Sequence, residues 1–316
     1  MMKTMIWMTK ITKTRKMKNK TLFYFLTCSV IWGLTWIAIK FQIQSVDATV
    51  AVFYRFAVAT LMMFSLCLFT KTSLLYKKID HLRFSLQGLF MFCLNFIVTY
   101  WASSMASSAL VALAFTSLIF FNMFGARLFF KTPFENKVVW GALISFLGML
   151  FITLNEYQHI LSAPLSIWGF ILSLLATLAA SFGNLISTKN RQLKIPILAN
   201  NAWSMLYGSS LTLIYCLIQH KNFSVHISPS YIISFVYLTV FGTVISFWSY
   251  LKLIEALGPS KAAFTSVVSP VIALAVSTAY EGFSWNLFIV LGVIFCITGN
   301  LVALARFGRI FKRSAV

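Results

Sequence analysis

The 316-residue chain is 59% apolar and 10% charged, with a mean hydropathy of +0.86 and a net charge of +20 from 26 Lys and Arg against six Asp and Glu. A soluble protein of this size cannot hide that much apolar surface, because folded surfaces still need polar cover. A soluble enzyme, a disordered chain and a secreted disulfide scaffold are excluded, which leaves an all-α polytopic membrane protein.

Along the chain, ten apolar segments are long enough for a helix to cross the hydrocarbon core. Seven basic residues, Lys3 through Lys20, precede the first. A basic arm of this kind can bind nucleic acid, but charge distributed in short gaps between apolar runs fits a membrane protein better. The first run, Leu22 to Ile39, exceeds a signal-peptide core and ends at Lys40 without a small-residue cleavage site, so it predicts span one. Trp32, Thr35 and Trp36 lie there, and the two tryptophans share a face. They predict either an aromatic wall for an organic substrate or packing around Gly33. Span two is expected at 51–69. Its Arg55 could hold an anionic substrate, snorkel to the interface or pair with Asp47.

Span three (84–103) is polarised by Asn95, Thr99 and Tyr100, and span four (106–129) by Thr116, Ser117 and Asn122. Span five covers 138–154. Span six (167–187) carries an Ala176, Ala180, Asn184 stripe that either faces a cavity or glues helices together. Spans seven (198–218) and eight (231–251) carry Trp203 with Tyr207 and Trp248 with Tyr250, as cavity aromatics or an interfacial belt; position favours the belt for Tyr250. Span nine (262–279) has Thr265, Ser266 and a small-residue stripe of Thr265, Ser269, Ala273 and Ser277. Pro270 removes a backbone hydrogen bond there and predicts a kink suited to gating. Glu281 stands at the outer end, and span ten follows at 286–305.

Placing the amino terminus in the cytoplasm and alternating sides puts 23 basic residues on the cytoplasmic side and only Lys40, Arg55 and Lys221 on the other. One missed span would spoil that bias, so both termini are expected in the cytoplasm of an inner-membrane protein. The five cysteines all lie in apolar runs without a CxxC pair and read as buried thiols. No metal-ligand spacing appears among the histidines, so neither a metal nor a cofactor is expected.

An internal repeat is visible. AFTS at Ala114–Ser117 recurs at Ala263–Ser266, and each is followed by glycines seven apart, Gly141 with Gly148 and Gly292 with Gly299. A five-span unit is odd, so its two copies are expected to face opposite ways, the pattern of secondary transporters. The domain reading is a basic arm at 1–21, one five-helix repeat at 22–154, an outer linker at 155–166, a second repeat at 167–305 and a basic tail at 306–316.

With these features the chain resembles the drug/metabolite transporter superfamily, of the type with two EamA domains. WGLTW from Trp32, RFAVA from Arg55 and the run EALGPSKAAFTSVVSPVIALAVSTAYEGFSW from Glu255 carry the resemblance. It covers nearly all of 22–305. Phe121 stands where Pro270 would have its counterpart, and no acidic residue of the first half matches Glu281. The resemblance implies carriage of a small organic metabolite, such as an amino acid or a related compound, more often outward than inward. The expected partners are that small molecule and the bilayer, in a monomer or a homodimer.

The expected pathway is Trp32, Thr35, Trp36, Arg55, Asn95, Tyr100, Thr116, Asn122, Asn184, Trp248, Thr265 and Ser266, with Pro270 and Glu281 as hinge and gate. No acidic residue stands at mid-span, which favours facilitated or exchange transport, or coupling at Glu281. Two rival classes lack their residues. The only aspartates, Asp47 and Asp80, are far apart and no HExxH occurs, against an intramembrane enzyme. No polar pore helix or charged ring marks a channel.

Overall fold

Helices make up nearly all of the computed structural model, which describes residues 2–106, 111, 114–154, 165–280 and 285–304. In chain order they are α1 (Met2–Ile43), α2 (Ala48–Phe69), α3 (Lys78–Met105), α4 (Leu118–Phe130) and α5 (Asn136–Leu154). Then come α6 (Leu165–Gln192), α7 (Ile197–Ile218), α8 (Pro229–Leu257), α9 (Thr265–Tyr280) and α10 (Leu287–Leu304). A single turn, Pro259–Ala262, leads into α9. Among the described residues there is no strand. By length and composition α2, α3, α8 and α10, with Ile167–Gln192 of α6, are able to cross a membrane; Ala114–Phe130 and Asn136–Ile152 are shorter apolar helices.

The basic arm is not separate from the first apolar run, because α1 is one helix of 42 residues. No Gly or Pro interrupts it before Gly33, and the Lys and Met that fill its first half are good helix formers. Asp47 caps α2 by accepting from the Thr49 and Val50 amides at 2.8 and 3.4 Å. Ser228 caps α8 through the Tyr231 amide at 3.2 Å, with Pro229 preset in the first turn.

Two local features repeat at a separation of 149 residues. The first is AFTS, where both copies interrupt helical winding with a tighter turn: the Ser117 amide bonds to the Ala114 oxygen, and the Ser266 amide to the Ala263 oxygen. The second has no sequence signal. α3 widens into a π-helical stretch at Gly88–Leu94, and α8 does so at Tyr237–Ile245. In α8 the Thr243 and Ser246 hydroxyls reach back five residues to the Leu238 and Phe241 oxygens, at 2.9 and 2.8 Å.

The glycine pairs explain how α5 and α10 meet. A Cβ on Gly141 would stand 2.6 Å from the Gly299 oxygen, and one on Gly148 2.6 Å from the Gly292 oxygen. The pairing runs in reverse along the two helices, so α5 and α10 are antiparallel with their backbones in direct contact. Elsewhere the bundle is inside-out by the standard of a soluble protein. Leu61, Trp140, Ile167, Ile214 and Phe288 are exposed, while Gln87, Asn122, Asn184, Asn190 and Asn200 are buried. Lipid as the outer solvent accounts for this, since polar groups then gain only by turning inward.

Candidate functional site

Trp32 packs against two separate apolar clusters, one formed largely by α4, α5, α8, α9 and α10 and the other by α2, α3, α7 and α8. Between them lies a cavity of about 160 Å³. Both halves contribute to its wall: α1 to α4 from the first, α6, α8 and α9 from the second. Of the residues expected from sequence, Trp32, Thr35, Arg55, Asn95, Tyr100, Asn184, Thr265, Ser266 and Pro270 line it. Thr99, Ala180 and Ser269, each noted on a polar or small-residue stripe, line it as well.

Other expectations fall elsewhere. Asn122 sits behind the wall, fully buried, donating to the Pro259 oxygen at 3.0 Å and accepting from Asn184 at 3.4 Å. Thr116 is buried outside the lining, and Trp248 turns away to pack edge-on against Tyr24 at 5.5 Å. The Trp36 side chain and Glu281 lie outside the described residues. Tyr250 corrects the belt expectation. It is 3% exposed, lines the cavity and accepts a 3.0 Å hydrogen bond from Asn184. The turn of α8 after its π-helical stretch points it inward. Ile39, Phe96, Phe115, Leu118 and Phe247 also line the cavity and carried no signal, since apolar residues in apolar spans look alike.

Arg55 is the most consequential wall residue. It is only 2% exposed, which removes the snorkelling reading. It is not paired with Asp47, whose partner is Lys221 at 3.1 Å. Instead Nε donates to Thr243 Oγ1 at 2.6 Å and Nη2 to the Gly242 oxygen at 3.1 Å. Both acceptors belong to the π-helical stretch of α8. Trp32 Nε1 also donates to the Gly242 oxygen, at 3.2 Å. A widened turn presents carbonyls that a regular helix would engage along its axis, and here two cavity residues use one of them. Gly242 has no side chain where a Cβ would stand 3.1 Å from Thr35 Cγ2 and 3.2 Å from Arg55 Nη2. The guanidinium lies over the rings of Phe96 and Phe56, at 5.2 and 5.6 Å. Its Nη1 has no hydrogen-bond partner, and neither do the Tyr100 hydroxyl nor Asn95 Oδ1.

Ion pairs clasp the connections at both ends of the bundle. At one end Lys221, from the α7–α8 connection, holds Asp47, from the α1–α2 turn. Partial burial pushes the Asp47 carboxyl up, but the Lys221 ammonium and the Thr49 and Val50 amides outweigh that and hold it below the ordinary carboxylate range. At the other end Lys261 pairs with Glu135 at 2.7 Å, and Glu255 bonds Arg191 and Lys252. No cluster of three His, Cys, Asp or Glu suited to a metal occurs among the described residues. The five cysteines are free and buried.

Known proteins place this architecture. The chain is 26% identical over 270 residues to an uncharacterized transporter of Buchnera aphidicola subsp. Schlechtendalia chinensis, covering 85% of this chain and 86% of that one. It is 26% identical to the uncharacterized inner membrane transporter YedA of Escherichia coli K12, with 80% of each chain covered. Protein PagO of Salmonella typhimurium is 22% identical over 89% of this chain and 91% of its own. A solved crystal structure shares the fold at a TM-score of 0.72 and 17% identity, covering 91% of this chain and 99% of that one. The model of the EamA-like transporter family matches twice, at residues 19–154 and 167–305. The chain is a membrane transporter with two EamA domains and belongs to the EamA-like transporter family.

Proposed function

We propose that the protein is a secondary carrier that moves a small organic metabolite, an amino acid or related compound, out across the inner membrane by alternating access. In this reading ten helices span the bilayer as two oppositely facing five-helix repeats, and both termini are cytoplasmic. The observation that carries it is the cavity, whose wall is drawn from both family-matched halves. A site at the interface of two related halves can open to either side when the halves exchange conformations. The antiparallel glycine contact of α5 with α10 and the π-helical stretches at repeat-equivalent positions support the inverted relation. Pro270, on the cavity wall within α9, supports a hinge there. The charge bias of the connections supports the orientation.

Purified protein reconstituted into vesicles tests this reading. Saturable flux that is accelerated by substrate on the far side is expected of a carrier. Single-channel currents would instead identify a channel. Labelling of single cysteines introduced at each terminus is expected to place both on the cytoplasmic side, and termini on opposite faces would overturn the ten-span arrangement.

A further inference from the structure

Arg55 offers more donors than the protein uses. Its two hydrogen bonds go to neutral acceptors on α8, which leave its charge uncompensated. The described carboxylates are engaged elsewhere: Asp47 with Lys221, Asp80 with Arg83, Glu135 with Lys261 and Glu255 with Arg191. A buried cation is costly, and with no counter-ion among the described residues such a site favours an anion. Arg55 lines the cavity, and its Nη1 is buried without a hydrogen bond of its own. The Tyr100 hydroxyl is buried beside the guanidinium, close enough to interact with it, and makes no other hydrogen bond.

We propose that the cavity binds organic monocarboxylates, with the carboxylate on Arg55 Nη1 and Tyr100 Oη and an apolar body against Trp32, Phe96 and Phe247. The planar fork of a guanidinium matches a carboxylate better than any other side chain does. One fixed positive charge is balanced by one negative charge; a phosphate monoester would leave a second charge unmatched in an apolar cavity. The aromatic walls are set, because Trp32 is held by the Gly242 oxygen and meets Phe247 edge-on at 5.5 Å. A cavity of about 150 Å³ is enough for benzene, so this one admits a body of about one ring. An organic cation meets a like charge at Arg55 and is rejected. The assignment rests on the carrier reading for its role in transport, while the binding step stands by itself.

The test uses full-length protein in lipid nanodiscs and three ligands of one shape: phenylpropionate, phenylpropanol and phenylpropylamine. Thermal stabilisation and tryptophan fluorescence report binding. The acid is expected to bind at least about tenfold more tightly than the alcohol, the range of a charge-assisted hydrogen bond, and the amine weakest. Arg55→Lys keeps the charge but loses the fork and is expected to weaken the acid about tenfold. Tyr100→Phe, which removes only the hydroxyl beside Arg55, is expected to weaken the acid and leave the alcohol unchanged. Equal or tighter binding of the alcohol or the amine overturns the proposal. So does failure of the acid to bind wild-type protein at millimolar concentration. In vesicles, binding of the acid without its exchange would refute the carrier and leave this site standing. Protein-dependent exchange of the alcohol or amine, above that of empty vesicles and as fast as that of the acid, would refute this site and leave the carrier standing.

Discussion

A methyl group at Gly148 measures how closely the two halves are seated. The added Cβ would stand 2.6 Å from the Gly292 oxygen, 2.7 Å from the Cys296 amide nitrogen and 2.8 Å from Cys296 Sγ. Ordinary contact begins at 3.4 Å, so the closest approach falls short by 0.8 Å. The first two atoms are helix backbone and have no rotamer to take up, so α5 and α10 must part by roughly that distance. Overpacking of this kind costs about 1–3 kcal/mol. The better helix propensity of alanine offsets at most about 1 kcal/mol of it. Because two of the three obstructing atoms are backbone, the upper part of that range, about 2–3 kcal/mol, applies, and Gly148→Ala is therefore expected to destabilise by about 1–2 kcal/mol. Gly292→Ala meets the reverse contact, 2.6 Å from the Gly148 oxygen, and should cost a similar amount. Once one methyl has separated the helices, the other fits more easily, so the double variant should cost less than the two together. Reversible unfolding of the purified protein by SDS titration in mixed micelles gives all four stabilities. Wild-type stability in either single variant, or strict additivity in the double, would refute this account of the seam.

Thr243→Val leaves the Arg55 Nε donor without its acceptor and should cost about 1–3 kcal/mol in the same titration, whereas Thr243→Ser should stay near wild type. Asn122→Leu strips the Pro259 oxygen and Asn184 of a shared partner and should cost a comparable amount. Gly242→Ala crowds Thr35 and Arg55 by only 0.2–0.3 Å against ordinary contact; it should fold normally and weaken phenylpropionate several-fold by fluorescence titration. Asp47→Asn removes a partly exposed ion pair and should change stability by less than about 1 kcal/mol at neutral pH. Because the folded Asp47 carboxyl lies below its unfolded value of about 3.9, its contribution is complete above that pH and fades as acid carries the pH through the folded value. Melting curves in acid should thus converge for wild type and Asp47→Asn.

The membrane-crossing helices were legible because lipid demands long apolar runs, and α2, α3, α8 and α10 coincide with expected spans. The repeat was legible in AFTS and the paired glycines because both are contact requirements written into residue type. The cavity was legible in its polar members, since Asn95, Asn184 and Thr265 have little other reason to interrupt an apolar span. The apolar wall was not, because Phe96 and Phe247 are indistinguishable from lipid-facing phenylalanines. Tyr250 is not legible as a cavity residue, because a regular helix gives the wrong facing for it and the π-helical stretch at Tyr237–Ile245 shifts the register of everything after it. Nothing in Tyr237–Ile245 announces that widening. The partners of Arg55 were hidden with it, since Thr243 and Gly242 meet α2 only through the widened turn.

A lone cation in the cavity bears on direction. In the proposed carrier, the Arg55 site loaded with a monoanion would cross neutral and, empty, would return charged. Bacterial and organellar bilayers that are negative inside push an anion outward with about 2.3 kcal/mol per 100 mV, equivalent to a concentration ratio of roughly fifty. Voltage alone would then drive export, with no proton or sodium ion travelling alongside. Collapsing the voltage with valinomycin and potassium would stop uphill export yet spare one-for-one anion swapping, which moves no net charge.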